Sequence, residues 1–201
     1  MPSAITILLA LLAAYVVGSL DFAVVVGRMH GVDIHEVGSG NPGTANVLRT
    51  LGRGPAAMVF VGDMLKGVIA AAIGMVVGGG DPQGLWAFAA GLAAVVGHCY
   101  PVFHRFRGGK GVATAVGVVL FTLPWAGMAL AAIWIAVVAA SRVSAVGSLA
   151  LAAASVPAAM WRGLTGVPLI LVALTFLLVV WRHRSNIRRL VTGDERPVTN
   201  R

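Results

Sequence analysis

The 201-residue sequence is 58% hydrophobic and only 11% charged, and its 15 Lys and Arg against seven Asp and Glu give a formal net charge of +8. So apolar a composition excludes an ordinary soluble domain, and a single cysteine, Cys99, excludes an internal disulfide framework and a cysteine-rich zinc site. The basic residues fall in short segments between apolar runs, which is typical of membrane-surface loops and not of a nucleic-acid-binding protein. We therefore predict one transmembrane domain over residues 1–201, with the lipid bilayer and no nucleic acid as partner.

Five apolar stretches predict the membrane-spanning helices, since a span needs about 20 mostly apolar residues. In chain order they are Ile5–Val26, Ala56–Val77, Leu85–Val102, Val112–Ala140 and Ser144–Trp181. No basic segment precedes the first, so we expect a retained helix and not a cleaved signal peptide. The third is slightly short. The fourth contains Pro124, and the fifth is interrupted by Arg162, Gly163, Gly166 and Pro168.

The last two stretches are each too long for one helix and short for two, and the basic residues favour dividing both. With seven helices and the N-terminus outside, thirteen of the fifteen Lys and Arg lie in cytoplasmic segments, leaving Arg162 outside and Lys66 within a span. Six helices would put the basic C-terminal tail on the wrong side, and five would leave Arg142 outside. We predict an all-α bundle of seven transmembrane helices with a cytoplasmic C-terminus, in which some helices are short and tilt or thin the bilayer.

A polar, glycine-rich loop follows the first predicted helix. Its segment VGSGNPGTANVLRTLG (Val37–Gly52) lets backbone N–H groups converge in an anion nest. A short helical segment with Arg49 follows, so a phosphate would meet N–H donors and a guanidinium. A flexible turn between two helices is the alternative. The G-x-G-x-x-G spacing does not indicate a dinucleotide site, because Asp63, twenty residues after Gly43, lies inside an apolar helix and no βαβ unit fits.

Two further cytoplasmic segments combine basic residues with phosphate-binding features. In GHCYPVFHRFRGGKGVATAVG (Gly97–Gly117), three glycines surround Lys110 just before an apolar helix, which suits a phosphate oxygen, although the segment is not a Walker A loop. In WRHRSNIRRLVTGDE (Trp181–Glu195), His183 and Asn186 are three residues apart and share a helix face. In both segments the alternative is that the basic residues only anchor the helices at the membrane surface.

The segment GDMLKG (Gly62–Gly67) puts Asp63 and Lys66 inside the second span, where charges are costly and normally paired. Because they are three residues apart on a helix, they can pair with each other. A structural salt bridge and a functional site both fit this pattern. No histidine is followed five positions later by Asp, and G-x-S-x-G and H-E-x-x-H are absent, so the sequence contains no local carboxylate–histidine pair, nucleophile elbow or metal-binding histidine pair.

Taken together, three blocks resemble the bacterial membrane-integral glycerol-3-phosphate acyltransferase family, whose donor is acyl phosphate. They are VGSGNPGTANVLRTLG, GHCYPVFHRFRGGKGVAT and WRHRSNIRRLVTGDE, and GDMLKG and SRVSAVGS (Ser141–Ser148) are also similar to it. The resemblance implies a seven-helix protein of the bacterial plasma membrane with its active site facing the cytoplasm. It would transfer an acyl group from long-chain acyl phosphate to the 1-position of glycerol-3-phosphate, giving lysophosphatidic acid and phosphate, without metal or cofactor. The oligomeric state stays open.

The loops and the resemblance together imply a set of site residues. The catalytic candidates are Ser39, Lys110, His183 and Asn186. The substrate- and phosphate-binding candidates are Gly38, Gly40, Asn41, Gly43, Thr44, Asn46, Arg49, His98, Gly108, Gly109, Gly111, Thr114, Arg142 and Ser144, with Glu195 as a further candidate. One departure from the family pattern is Asp21, where the family often has Pro.

The expected mechanism relies on positioning and charge stabilisation, because acyl phosphate is already activated. We expect Ser39 and nearby N–H groups with Lys110 to bind the acyl-phosphate group, and Arg49 with His183 and Asn186 to orient glycerol-3-phosphate. The alternative function is a small transporter or channel for an organic phosphate. That function requires polar residues along a path through the bundle, and Asp63 and Lys66 are the only charged residues well inside a predicted span.

Overall fold

The computed structural model describes residues 2–79, 81 and 83–198. Within them the chain forms ten α-helices: α1 Ala4–Gly18, α2 Phe22–Met29, α3 Thr44–Leu51, α4 Arg53–Gly78, α5 Leu85–Cys99, α6 Val112–Thr122, α7 Pro124–Ser141, α8 Ser144–Trp161, α9 Gly166–Arg182 and α10 Arg184–Thr192. One turn of 3-10 helix, Val102–His104, follows α5. The two ends of the predicted 1–201 domain, including the basic Arg201, lie outside the described residues.

The predicted all-helical, apolar architecture is confirmed. In the described part of the chain, five helical segments are long and apolar enough to cross a membrane, and α9 and α10, bent by 53° between them, raise the number to six. In the first of these, Ala4–Met29, α1 and α2 together make one candidate span. α6 is apolar but has only 11 residues, which is fewer than any of these candidate spans. The seven crossings and the orientation of the termini remain predictions.

Both long apolar stretches are divided where the sequence predicts a division. α6 ends at Thr122, and α7 begins with Pro124 at its first position. A backbone N–H at that position makes no hydrogen bond within the helix, so proline, which has none, costs no bond there. α8 ends at Trp161, and α9 begins at Gly166. α5 ends at Cys99, three residues before the predicted boundary at Val102. Pro101 disfavours helical backbone angles at the residue before it, Tyr100, and so ends the helix there.

The first apolar stretch is not the continuous helix that the sequence predicts. α1 ends at Gly18, and the side chain of Asp21 caps α2, with its Oδ1 accepting hydrogen bonds from two backbone N–H groups at 3.1 and 3.2 Å. The ammonium of Lys66, from α4, donates to the carbonyl of Leu20 at 2.8 Å. An unpaired carbonyl inside an apolar bundle is costly, so these bonds stabilise a break within the span.

The central helix of the bundle is α4. It packs against α1, α5 and α6 along its length and against α2 and α3 near its start. Helices α5 to α9 share one apolar core, which includes the buried side chains of Val95, Cys99, Val118, Leu151 and Phe176. A smaller core, with Val26, Val47 and Val59, joins α2, α3 and α4. Because α5, α6 and α9 meet in the first core, the loop that precedes α6 lies beside the end of α9.

Candidate active site

Four segments that are far apart in the sequence line one pocket of about 590 Å³. They are the loop before α3 with α3 itself, the loop before α6, the junction of α9 with α10, and the tail that follows α10, and Ser144 at the start of α8 also lines the pocket. Among the described residues, Glu195 is the one carboxylate in the lining, and seven basic side chains surround it. The basic residues are Arg49, Arg107, Lys110, Arg182, Arg184, Arg189 and Arg196. Such a lining suits a ligand with more than one negative charge.

The first wall of the pocket is the glycine-rich loop, and Asn46 holds its shape. The buried Asn46 accepts a hydrogen bond from the N–H of Ser39 at 2.8 Å and donates to the carbonyl of Val37 at 3.0 Å. Gly38 has φ of +62°, and a Cβ there would stand 2.3 Å from Asn46 Oδ1, so only glycine fits. Arg49 lies one turn after Asn46. Burial, followed by the nearby positive charge of Arg196, lowers the pKa of Arg49.

The second wall is the loop Gly108–Gly111, which Arg182 and His98 hold from two sides. Arg182 donates through Nη2 to the carbonyl of Gly108 at 2.7 Å and through Nε to that of Gly109 at 3.0 Å. The N–H of Gly109 donates to the carbonyl of His98 at 3.0 Å. Lys110 extends from this loop into the pocket. Desolvation lowers the pKa of the Lys110 ammonium to about 8, against the opposing attraction of Glu195.

The third wall contains a hydrogen-bonded chain that starts at Lys110. Its ammonium donates to Oδ1 of Asn186, whose Nδ2 donates to Oε1 of Glu195 at 2.9 Å. Arg189 Nε contacts the other oxygen of Glu195, also at 2.9 Å. His183 is buried, and its Nδ1 lies 2.7 Å from the carbonyl oxygen of Val179. A carbonyl only accepts hydrogen bonds, so Nδ1 carries the proton and Nε2 of the neutral ring is an acceptor.

A family model described as glycerol-3-phosphate acyltransferase matches residues 8–193 of this chain. The chain belongs to the glycerol-3-phosphate acyltransferase family. It is 46% identical over 192 residues to the glycerol-3-phosphate acyltransferase of Rubrobacter xylanophilus, covering 94% of this chain and 93% of that protein. It is 44% identical over 193 residues to the protein of the same name from Thioalkalivibrio sulfidiphilus, again covering 94% and 93%.

The acyltransferase fold is similar to two crystal structures of PlsY (YgiH), an integral membrane glycerol 3-phosphate acyltransferase. The TM-score is 0.89 for its glycerol 3-phosphate form and 0.87 for its lysophosphatidic acid form, each at 37% identity over 95% of this chain and 94% of that chain. This similarity, together with the apolar helices of the chain, identifies it as an integral membrane protein. The alternative of an organic-phosphate transporter is not favoured.

The acyltransferase pocket brings together ten of the eighteen site residues that the sequence predicts. They are Gly38, Ser39, Gly40, Asn41, Asn46, Arg49, Gly108, Lys110, Ser144 and Asn186. The other eight do not line it: Gly43, Thr44, His98, Gly109, Gly111, Thr114, Arg142 and His183. Gly43 and Thr44 lie at the start of α3, and Thr114 is buried on α6. Arg142 is exposed in the turn between α7 and α8, where its carbonyl accepts a hydrogen bond from the N–H of Val198 at 2.8 Å.

A carboxylate–histidine pair is present in this acyltransferase, although the sequence contains no local motif for one. Nδ1 of His98 on α5 lies 3.5 Å from Oδ1 of Asp63 on α4. The same carboxylate oxygen lies 2.9 Å from the ammonium of Lys66. All three side chains are buried. His98 therefore connects two parts of the protein. Its side chain contacts Asp63 on α4, and its backbone carbonyl accepts a hydrogen bond from the N–H of Gly109 in the glycine loop.

Two arginines outside the predicted set of site residues position the loops of the acyltransferase pocket. Arg182 bonds both carbonyls of the Gly108–Gly109 pair, and Arg196 Nη1 donates to the carbonyl of Gly38 at 3.0 Å. No local pattern separates these two from the other arginines of the basic tail. Their partners lie more than 70 and 150 residues away.

We expect Gly109→Ala to lower kcat/KM of the acyltransferase by about tenfold or more, because a small displacement of a binding group is costly. A Cβ at position 109 would stand 2.2 Å from Nε2 of His98 and 2.9 Å from the carbonyl oxygen of Pro42, so the loop has to move. Gly54→Ala is the matched control, because its Cβ meets no atom within 4 Å. Wild-type kinetics in a folded Gly109→Ala protein would contradict the close approach.

Proposed function

We propose that this protein transfers a fatty acyl group from acyl phosphate to the 1-position of glycerol-3-phosphate, giving lysophosphatidic acid and inorganic phosphate. The observation that carries the proposal is the pocket itself, in which two glycine-rich loops and seven basic side chains surround a single carboxylate. Both proposed substrates bring a phosphate, and the product retains one. The PlsY forms with glycerol 3-phosphate and lysophosphatidic acid support this acceptor and this product for a relative of the same fold.

In the proposed reaction, the C1 hydroxyl oxygen of glycerol-3-phosphate attacks the acyl carbon of the mixed anhydride. The bond from that carbon to the bridging phosphate oxygen breaks, and inorganic phosphate leaves. The hydroxyl proton passes to the departing phosphate, because His183, the predicted catalytic histidine, is 2% exposed and does not line the pocket. The leaving group is stable, so no covalent acyl-enzyme is required, and the protein contributes orientation and charge stabilisation.

The proposed division of roles uses the three walls of the pocket. Ser39 and the neighbouring N–H groups, with Lys110, bind the phosphate of the donor. Arg49 binds the phosphate of glycerol-3-phosphate. Asn186 orients glycerol-3-phosphate with Arg49, and it also accepts a hydrogen bond from the Lys110 ammonium. The remaining predicted residues near these loops, His98 among them, support the walls.

We also propose seven transmembrane helices with the N-terminus outside, in a bacterial inner membrane with the pocket facing the cytoplasm. The clustering of basic side chains around the pocket supports this orientation, since basic residues are retained on the cytoplasmic side. Glycerol-3-phosphate is a soluble cytoplasmic metabolite, and a site on that face meets it directly.

The test is phosphate release by the purified protein in detergent, given palmitoyl phosphate with and without glycerol-3-phosphate, and palmitoyl-CoA in parallel. The expected result is release that depends on glycerol-3-phosphate, with lysophosphatidic acid formed and no product from the thioester. Product from palmitoyl-CoA alone would replace the proposed donor. No turnover from either donor in folded protein would contradict the proposed reaction.

We expect kcat/KM to fall as the pH rises through about 8, because burial lowers the pKa of Lys110 to that value and only its charged form binds phosphate strongly. Below pH 8 the ammonium is protonated and this contribution is complete; above it the contribution is lost. Initial rates between pH 6.5 and 9.5, corrected for uncatalysed donor hydrolysis, measure the profile. An active Lys110→Arg variant should lack the basic limb, and an unchanged limb would assign it to another group.

A further inference from the structure

Arg182 is the last residue of α9, and its guanidinium donates hydrogen bonds to backbone carbonyls. Two of its nitrogens, Nη2 and Nε, donate to the carbonyls of Gly108 and Gly109 at 2.7 and 3.0 Å. The guanidinium also lies over the ring of Tyr100, 4.9 Å from the ring centroid. Tyr100 is held in turn, because its carbonyl accepts a hydrogen bond from the hydroxyl of Tyr15 at 2.8 Å. Arg182 is therefore fixed by α1, by the end of α5 and by the loop.

These two hydrogen bonds fix two consecutive peptide planes. The described chain contains no cis peptide bond, so the N–H of each residue points opposite to the carbonyl that precedes it. The carbonyl of Gly108 points to Arg182, and the N–H of Gly109 points the other way, to the carbonyl of His98 at 3.0 Å. The carbonyl of Gly109 also points to Arg182, so the N–H of Lys110 points away from it. The direction in which Lys110 leaves the loop follows from this arrangement.

The peptide planes of a glycine-rich loop have no fixed orientation without such contacts, because glycine allows many backbone angles. A planar guanidinium presents a rigid fork of donors that matches two adjacent oxygens, and the point charge of a lysine ammonium does not. With Nε and Nη2 both engaged, Arg182 acts mainly on the loop. We infer that Arg182 is a positioning residue, which orients the backbone of Gly108–Gly109 so that the Lys110 N–H and ammonium meet the substrate phosphate. This inference rests on the proposed acyl transfer.

The test compares Arg182→Lys and Arg182→Gln with wild-type protein in the assay with palmitoyl phosphate and glycerol-3-phosphate. We expect both variants to lose about 100-fold in kcat/KM, because a displaced binding group costs about that much. Retention of most activity by Arg182→Lys would show that charge and not the fork is required, and would overturn the inference. Arg188→Gln is the matched control, because Arg188 is exposed on α10 and does not line the pocket.

A second measurement separates positioning from a general structural role. Arg182→Lys should cost much less in a Lys110→Met background than in the wild type, because residues that act through one another are not additive. Radiolabelled glycerol-3-phosphate makes the low rates measurable. An equal loss in both backgrounds would overturn the inference. If the wild type itself shows no turnover, the proposed function fails, whereas an active wild type with an unaffected Arg182→Lys variant contradicts only the role of Arg182.

Discussion

Replacing Lys110 by Met is expected to lower kcat/KM for acyl transfer by about 1,000-fold, which is the upper range for loss of one charge-stabilising donor. Lys110 extends from a glycine loop whose backbone is held on both sides, and its ammonium already bonds Asn186. Methionine keeps the length and most of the volume of the side chain but removes the charge. Lysophosphatidic acid formed from radiolabelled glycerol-3-phosphate gives the rate.

The matched control for Lys110→Met is Arg53→Gln, which also removes one positive charge. Arg53 is exposed at the start of α4 and does not line the pocket. It should retain wild-type rates within about twofold, since exposed substitutions away from a site have small effects. Equal losses in the two variants would show that net charge, and not the position of Lys110, governs activity.

Replacing Asp63 by Ala is expected to lower the free energy of unfolding by about 3–5 kcal/mol, because it leaves Lys66 buried without its partner. The two side chains are 3% and 2% exposed, and their charged atoms are 2.9 Å apart inside α4. The same change removes the partner of His98 Nδ1, so activity should also fall. SDS titration in mixed micelles measures the change in unfolding free energy.

The double variant Asp63→Leu/Lys66→Met tests the cause of that destabilisation. Replacing a buried ion pair by apolar residues of similar volume is often neutral, so most of the lost stability should return. The carbonyl of Leu20 loses its bond from Lys66, and a deficit of about 1–3 kcal/mol should remain. If the double variant is as unstable as Asp63→Ala, the unpaired charge of Lys66 is not the cause of the destabilisation.

The sequence predicts the features of this fold that depend on neighbouring residues. Pro124 marks the boundary between α6 and α7, because proline is favoured in the first turn of a helix and disfavoured in its interior. A short helix containing Arg49 forms in the second half of the Val37–Gly52 segment, as its composition indicates. The sequence prediction does not include the break between α1 and α2, although Asp21 before an apolar run is an N-cap signal. Within a long apolar stretch, one acidic residue was outweighed by the overall hydropathy.

The features that escaped prediction depend on residues far apart in the chain. Asp63 and His98 come from different helices and meet only because α4 packs against α5. Arg182 is one of several arginines in a basic tail, and its task follows from α9 ending beside the loop of Gly108. The basic residues of the tail indicate a phosphate site by their type alone. The packing of the helices decides which charge contacts substrate and which holds the backbone.

The shortness of α6 bears on how the donor reaches Lys110. Eleven residues make a helix of about 16 Å, whereas the hydrocarbon core of a bilayer is about 30 Å thick. In the proposed seven-helix topology, either the bilayer thins around α6 or the loop before it lies below the headgroups. In both cases the acyl chain of the proposed donor, acyl phosphate, can stay among the lipids while its phosphate meets the ammonium of Lys110. The effective donor concentration is then its mole fraction in the surrounding leaflet, so diluting the surface with inert lipid slows the reaction even when the bulk concentration is unchanged.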